Sequence, residues 1–195
     1  ADTGASSSDR VTSNGEVNVT GLTAGFSWEY KIGAAAWATG SGSSFTLPDG
    51  SYAIGGVQVR QVDLAGNASA AVSNTAAWTI DATAPSVTSI TPSWGSDLSA
   101  SEKNAAGTVA VVFAGVENGR TATLSLNGQS YTATITANNA TFALSAKALQ
   151  ALVDTSYTMT IAVSDIAGNS ASVDSSSFTV DSSITGTATQ VLALA

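Results

Sequence analysis

The residues with the clearest capacity for chemistry in this sequence are acidic and lie in turns. A five-residue motif, Asp-Leu/Ile-Ala-Gly-Asn, occurs at positions 63–67 and again at 165–169, with the two aspartates 102 positions apart (165 − 63). Each copy follows an alternating run of apolar and polar residues and precedes a second apolar run that ends in an aspartate, Asp81 or Asp181. The repetition indicates two similar structural units, each with carboxylates at fixed positions in its turns.

Composition supports two folded units and excludes several classes of partner. The chain has 195 residues, which accommodates two domains of ordinary size, and it is 44% hydrophobic but only 10% charged, so it can bury cores. Six Lys and Arg residues against a net charge of −8 leave no basic patch, so no nucleic-acid partner is expected. No apolar run reaches 18 residues, so no membrane insertion is expected.

The absence of cysteine suits a secreted bacterial protein that is stabilised by metal instead of disulfides. Residue 1 does not begin a signal peptide, and we interpret the sequence as a piece of a longer protein.

The elements that must position the acidic turns are short strands bounded by Gly, Asn, Asp and Ser. Two short helical turns are expected at 98–104 and 145–153. Asn127-Gly128 is the signature of a two-residue hairpin turn. About seven strands per hundred residues are typical of an antiparallel β-sandwich. The predicted strands are 16–21, 27–32, 44–46, 53–62, 76–80, 86–91, 107–113, 122–126, 131–135, 140–144, 157–163 and 177–180.

The predicted domain boundaries place one domain at 1–84, a second at 85–184 and a tail at 185–195. Pro85 cannot donate to a strand ladder and favours a short extended hinge over 81–85. The apolar stretch 191–195 resembles the first strand of a following repeat, whereas the first domain lacks such a strand. The tail is therefore predicted to pair with an open sheet edge of the first domain, in the same molecule or in another copy.

Sandwich topology sorts the carboxylates into groups at the ends of the two domains. No histidine or cysteine is available for zinc or copper, whereas calcium takes six to eight oxygen ligands, so Ca²⁺ is the predicted ion. The alternative is that these residues only form turns and caps. The predicted ligands are Asp2, Asp9 and Asp81 facing Asp165; Asp97, Glu102 and Asp181 in the second domain; and Asp63 at the far end of the first. Secondary candidates are Asp49, Asn67, Asp154 and Asn169.

Three stretches of the first half resemble the bacterial immunoglobulin-like tandem repeats of giant secreted RTX-type adhesins: 2–9, 57–67 and 81–85. The second half keeps the 165–169 turn and Asp181 but changes the opening and the hinge, as in another subtype of the same fold. The resemblance implies an all-β chain of two tandem immunoglobulin-like antiparallel β-sandwiches. It also implies type I secretion, tethering at the bacterial cell surface and stiffening by extracellular calcium.

The function predicted from these features is that of a structural extender, or spacer, in biofilm formation or cell-surface adhesion. Calcium at the interdomain junctions would cancel carboxylate repulsion, and the partners would be neighbouring repeats of the same polypeptide. The alternative is a sugar- or peptide-binding module near the adhesin tip, which an exposed Trp37 or Trp94 beside a carboxylate would support. Trp28 and Tyr30 share one face of their predicted strand, and Trp37 and Trp78 are predicted core aromatics. No enzymatic activity is expected, because the usual His base and Cys nucleophile are missing.

Overall fold

Short strands form nearly all of the regular structure of the chain. A computed structural model describes residues 2–183, and these separate into two compact units. The first unit comprises residues 1–85 together with 115–120 and 164–171, and the second comprises the remaining residues from 86 onward. The predicted tail strand at 185–195 and its pairing lie outside the described residues. Among the described residues, no helix has the length and apolar character needed to cross a membrane.

The first unit contains nine strands in three sheets. Their sheet orders are β4-β3-β7-β8, β1-β9-β6 and β2-β5. β1 pairs with β9 in parallel, and the remaining pairs are antiparallel. The strands are β1 (Val11–Thr12), β2 (Glu16–Asn18), β3 (Ser27–Ile32), β4 (Ala38–Thr39), β5 (Ser44–Thr46), β6 (Gly50–Tyr52), β7 (Val57–Val62), β8 (Val72–Ser73) and β9 (Trp78–Ile80).

The core of the first unit is small. Its buried cluster consists of Leu47, Tyr52, Val57 and Ile80. Trp28 is also buried, and its indole Nε1 donates to the Gly42 carbonyl at 2.9 Å, so its polar edge is satisfied.

The second unit has a two-sheet arrangement with orders β10-β12-β15 and β11-β17-β16-β13-β14. β12 alternates buried and exposed residues along its whole length, as expected of a strand with one face on a core. The elements are β10 (Ser86–Pro92), β11 (Asp97–Ser99), a 3-10 turn (Glu102–Asn104), β12 (Gly107–Ala114), β13 (Thr121–Leu126), β14 (Gln129–Thr134), β15 (Asn139–Leu144), α1 (Ala146–Gln150), β16 (Ser156–Ser164) and β17 (Ser170–Asp181).

Most predicted strands are confirmed within two residues of their ends, and so is the hairpin at Asn127-Gly128, where both residues have positive φ (48° and 72°). The predicted strand 53–62 is wrong in its first part. Gly56 donates to the Ala53 carbonyl at 2.9 Å and Gly55 has φ +75°, so a turn separates β6 from β7. The predicted helical turn at 98–104 begins too early, because Asp97–Ser99 forms β11, parallel to β17.

Several very short strands were not predicted. β1, β4 and β8 have only two residues each, too few for an alternating pattern to emerge from the sequence. Conversely, β17 extends well beyond the predicted 177–180, because it begins directly after the second acidic turn.

Candidate metal-binding turns

The two copies of the repeated motif fold into the same turn. In each, the aspartate amide donates to the asparagine carbonyl, at 3.0 Å for Asp63 and 3.1 Å for Asp165. In return, the asparagine amide donates to the aspartate Oδ1, and its side-chain Nδ2 donates to Oδ2 at 2.9 Å in both copies. An Asp-x-x-Gly-Asn sequence therefore closes a self-satisfied loop around one carboxylate, with positive φ at Gly66 and Gly168.

The surroundings of the two turns differ. Asp165 is completely buried, whereas the turn after Asp63 is exposed and Leu64 is 92% accessible to solvent. In the buried copy, Asn169 Nδ2 also donates to the backbone carbonyl of Asp81 at 2.7 Å. The same loop is thus free at one place and anchored at the other.

The residues that cover the buried turn are the opening residues of the first unit. Thr3 Oγ1 donates to the Ala167 carbonyl at 3.0 Å, and the Ala5 amide donates to the Ile166 carbonyl at 3.1 Å. Between them, Gly4 has φ +94°, and a Cβ on it would lie 2.2 Å from the Ile166 oxygen. Only glycine allows this approach of the two backbones.

The carboxylate of Asp2 precedes this contact and is only partly satisfied. Its Oδ2 accepts the Arg10 amide at 2.9 Å, but its Oδ1 is buried without a hydrogen-bond partner. Asp81, whose amide donates to the Thr12 carbonyl, completes the neighbourhood, and its Oδ1 accepts the Thr83 amide at 3.0 Å. The predicted approach of Asp81 to the 165–169 turn is thus made through the Asp81 carbonyl and Asn169.

Glu117 and Arg120 also hold the buried turn, although sequence reasoning did not select either. Glu117 Oε2 accepts the Ile166 amide at 2.9 Å, and Arg120 Nε donates to the Ser164 carbonyl at 3.0 Å. Both flank Asn118-Gly119, which marks a turn in the sequence. Nothing in that local signal shows that the turn lies against another one more than forty residues later.

The predicted ligands of the second unit are mainly engaged by neighbouring serines. Glu102 Oε2 accepts the Ser99 amide and hydroxyl at 2.9 and 2.6 Å, and Asp154 Oδ1 accepts the Ser182 amide at 3.1 Å. Asp97 accepts the Ser96 hydroxyl at 2.6 Å and Asp181 is exposed at the end of β17.

A lysine side chain, that of Lys103, lies near these acidic residues of the second unit. Lys103 Nζ donates to the Leu152 carbonyl at 2.7 Å, and its charge helps lower the pKa of Asp154.

Hydrogen bonds favour the ionised form of four carboxyl groups and so lower their pKa. The Ala82 amide and Thr83 hydroxyl lower the pKa of Asp49, and the Asn67 side chain and amide lower the pKa of Asp63. The pKa of Glu102 is lowered by Ser99, and that of Asp154 by the Ser182 and Ser183 side chains. These bonds are those of turn formers and caps, which is the structural alternative to metal ligation.

The fit of calcium to the chain is best around Asp2. The chain has no His or Cys, so its metal ligands would be oxygen atoms, which calcium prefers. The buried Asp2 Oδ1 accepts no hydrogen bond, as expected of an atom that faces a cation. However, within residues 2–183 no three His, Cys, Asp or Glu side chains are grouped closely enough to hold a metal ion. A cation at Asp2 would therefore take most of its ligands from backbone carbonyls and water.

The tryptophans that could have formed a ligand platform are not free. Trp94 is 7% exposed and packs edge-on against Phe178, so it does not offer the exposed ring that the ligand-binding alternative requires. Gly107 leaves room for the Trp94 ring, since a Cβ at position 107 would lie 2.8 Å from that ring. Trp37 is half-buried under the Arg60 guanidinium, 4.2 Å from the ring centroid.

The two-sheet arrangement and strand orders define an all-β, immunoglobulin-like fold. Residues 88–182 match the family model described as a bacterial Ig-like domain. The match confirms the resemblance that the acidic turns suggested. No curated protein matches the chain.

Among solved structures, the chain is similar to a Ca²⁺-stabilised, ice-binding adhesin of an Antarctic bacterium, at 23% identity over 90% of this chain and 47% of that one, with a TM-score of 0.41. A bacterial immunoglobulin-like domain of the M. primoryensis ice-binding adhesin is 28% identical over 48% of this chain and 96% of that one (TM-score 0.36). A tetra-tandem repeat from the extending region of a large adhesion protein is 20% identical over 88% and 43% (TM-score 0.40). The chain spans about half the length of the multi-repeat adhesin structures among these.

Proposed function

We propose that this chain is a structural extender of a large bacterial surface adhesin, stiffened by calcium and joined to neighbouring repeats of the same polypeptide. The observation that carries the proposal is the buried, anchored turn at Asp165 together with the unpartnered Asp2 Oδ1. The opening of the first unit, the end of β9 and the 165–169 turn are joined here by short hydrogen bonds. These bonds fasten three separate segments of the first unit to one another, and none of them requires a substrate.

The negative charges of Asp2, Asp81 and Asp165 favour a bound cation. Among the described residues the one ion pair joins Arg60 to Glu29 at 2.7 Å, so Asp2, Asp81 and Asp165 have no Lys or Arg paired with them. Buried carboxylates without a counter-charge are costly. Asp2, with its free oxygen, would hold calcium together with backbone carbonyls and water, and the bound ion would supply the missing positive charge. Extracellular modules bind it at about 10⁻⁴–10⁻³ M, so binding would follow external calcium.

A ligand-binding module near an adhesin tip is the second candidate. The tryptophans speak against it, because Trp94 is buried and the Trp37 ring is covered by Arg60. A sugar that stacked on the face of Trp37 covered by Arg60 would have to displace this guanidinium from its salt bridge to Glu29. The extender remains the function that these side chains support.

Thermal unfolding in calcium, magnesium and chelator tests the calcium part of the proposal. We expect calcium alone to raise the Tm, since an ion that binds only the folded state adds about 2.7 kcal/mol at a hundredfold excess over its Kd. Asp2→Asn should abolish most of the rise, whereas Glu16→Gln, an exposed acid outside the predicted ligand set, should preserve it. Superimposable melts in calcium and chelator would refute calcium stiffening.

A further inference from the structure

A second motif, Leu-x-Asp-x-Ser-Tyr, also occurs once in each unit. It begins at Leu47 in the first unit and at Leu152 in the second. In both copies the aspartate, Asp49 or Asp154, accepts hydrogen bonds from residues just after the last strand of its unit, β9 or β17. The motif therefore ties the end of the last strand to the loop that carries the aspartate, and the two units can be compared at this position.

The two copies differ in the charge that lies beside the aspartate. The Asp49 carboxylate accepts hydrogen bonds from residues 82–83 at 2.9 and 2.8 Å, and these two bonds account for its lowered pKa. The Asp154 carboxylate accepts the Ser182 amide and hydroxyl, and the charge of Lys103 helps to lower its pKa further. Among the described residues, only the second copy has a cationic side chain close enough to affect its aspartate.

Lys103 is held at this place by a longer connection between strands. In the first unit β1 and the next strand are four positions apart (16 − 12), whereas in the second unit β11 and the next strand are eight apart (107 − 99). The longer connection contains the 3-10 turn Glu102–Asn104. Gln150 Nε2 of α1 donates to Asn104 Oδ1 at 3.0 Å, which fixes this turn against α1. The added residues therefore hold Lys103 against the loop that follows α1.

The oxygen atoms around the Lys103 ammonium are of the kind that a calcium ion takes. They are the Leu152 carbonyl at 2.7 Å and the Ser182 hydroxyl at 3.4 Å. The Ser182 hydroxyl donates its hydrogen to Asp154 Oδ1, so its lone pairs are available to the ammonium. The hydroxyl therefore links the positive charge to the carboxylate. A divalent ion here would compete for the same oxygens and would be repelled by the lysine.

We propose that Lys103 is the built-in cation of this end of the second unit and takes the place of a divalent ion there. On this proposal the nearby Asp97, Glu102 and Asp181 hold no calcium. The hydrogen bonds of Asp97 and Glu102 to neighbouring serines agree with this, because they already satisfy these carboxylates. Calcium would then act on the first unit alone. That last point rests on the proposed function, whereas the role of Lys103 does not.

A calcium titration of the full chain, followed by NMR, tests the assignment. Amide resonances of residues 97–104, 152–155 and 181–183 should stay in place as calcium is added, whereas those of residues 2–14 should move. Calcium-dependent shifts at 152–155 would overturn the role of Lys103. A chain in which no resonance moves would instead refute calcium stiffening and agree with the role of Lys103.

Replacement of Lys103 tests its charge directly. Lys103→Met should raise the pKa of Asp154, because the neighbouring positive charge is lost. It should also accelerate hydrogen exchange of the Ser182 amide at least about tenfold, as expected for the loss of a hydrogen bond to a charged group. Lys103→Arg, which keeps the charge, should keep the pKa of Asp154 low.

Lys147→Met is the matched control, since Lys147 is an exposed lysine of α1 in the same unit. It should leave both the Asp154 pKa and the Ser182 exchange rate unchanged. An Asp154 pKa that Lys103→Met does not raise, or that Lys147→Met raises equally, would overturn the inference. The calcium titration uses the unmodified chain, so the inference remains testable even if Lys103→Met does not fold.

Discussion

At the scale of single residues, the same set of internal hydrogen bonds occurs twice in this chain and serves a different role in each copy. Asp63 and Asp165 make the same bonds to Asn67 and Asn169, yet only Asn169 reaches a further acceptor, the Asp81 carbonyl. The exposed copy is a turn former, and the buried copy is also an anchor. The two sites therefore form an internal control for measuring what the anchor contributes.

Replacing the two asparagines separately should reveal this contribution. Asn169→Ala should lower the free energy of unfolding by about 1 kcal/mol more than Asn67→Ala, because it removes one additional buried hydrogen bond. Urea denaturation of the two variants beside the unmodified chain measures the difference. Equal losses would mean that the bond to Asp81 contributes nothing net.

Acid should destabilise the chain through the carboxyl groups whose pKa is lowered. In the folded state, hydrogen bonds place the pKa of Asp49 and Asp63 below the ordinary 3.8. Their contribution is therefore present above pH 4 and is lost as the pH falls through the lower folded pKa. The Tm difference between the unmodified chain and Asp49→Asn should shrink as the pH drops below about 4. A gap that is constant down to pH 2 would contradict this.

At the scale of elements, the close approach of two turns depends on glycines. Gly66 and Gly168 hold the same position in the repeated motif, with φ +87° and +91°. A Cβ on Gly66 would meet nothing within 4 Å, whereas one on Gly168 would lie 2.7 Å from the Cα of Gly4. The backbone requirement is shared, and the steric requirement belongs to the buried copy alone.

Alanine substitution separates these two requirements. Gly66→Ala should cost about 1–2 kcal/mol, the strain of a left-handed non-glycine residue. Gly168→Ala should carry the same backbone strain and also displace the opening residues 3–5. Its loss of unfolding free energy, measured by thermal or urea unfolding, should therefore be clearly larger. Faster hydrogen exchange of the Ala5 amide, which bonds to Ile166, would report the displacement directly. Similar losses for both variants would show that the contact yields without cost.

At the scale of the whole molecule, the two units have unequal cores. The second unit buries a long series of apolar residues, such as Phe142, Leu124 and Ile161, each less than 2% exposed. The first unit relies on a cluster of four beside a groove that no described strand fills. Stability within the chain should therefore be uneven, because buried apolar area is the main favourable contribution to folding.

Native-state hydrogen exchange should display this inequality. Amides of β3 and β7 in the first unit should exchange faster than those of β12 and β16 in the second, by opening reactions of lower free energy. Ile161→Ala in the second unit should cost about 2–5 kcal/mol and accelerate exchange there. Uniform protection across both units would show that the chain unfolds as one cooperative body.

Many of the strands and turns of this protein could be predicted from the sequence alone. Alternation of apolar and polar residues predicted most of the longer strands, because a period of two survives wherever one face of a strand is buried. The duplicated Asp-x-x-Gly-Asn motif predicted its own turn, because all partners lie within five residues.

Tertiary structure alone decided which copy of that turn became an anchor. The bonds of Thr3 to Ala167 and of Glu117 to Ile166 join residues far apart in sequence, and no local pattern encodes such pairs. The burial of Trp94 against Phe178 could not be predicted for the same reason, because the two residues are far apart in sequence. Local bonding is set by neighbours in the chain, whereas burial depends on where distant segments meet.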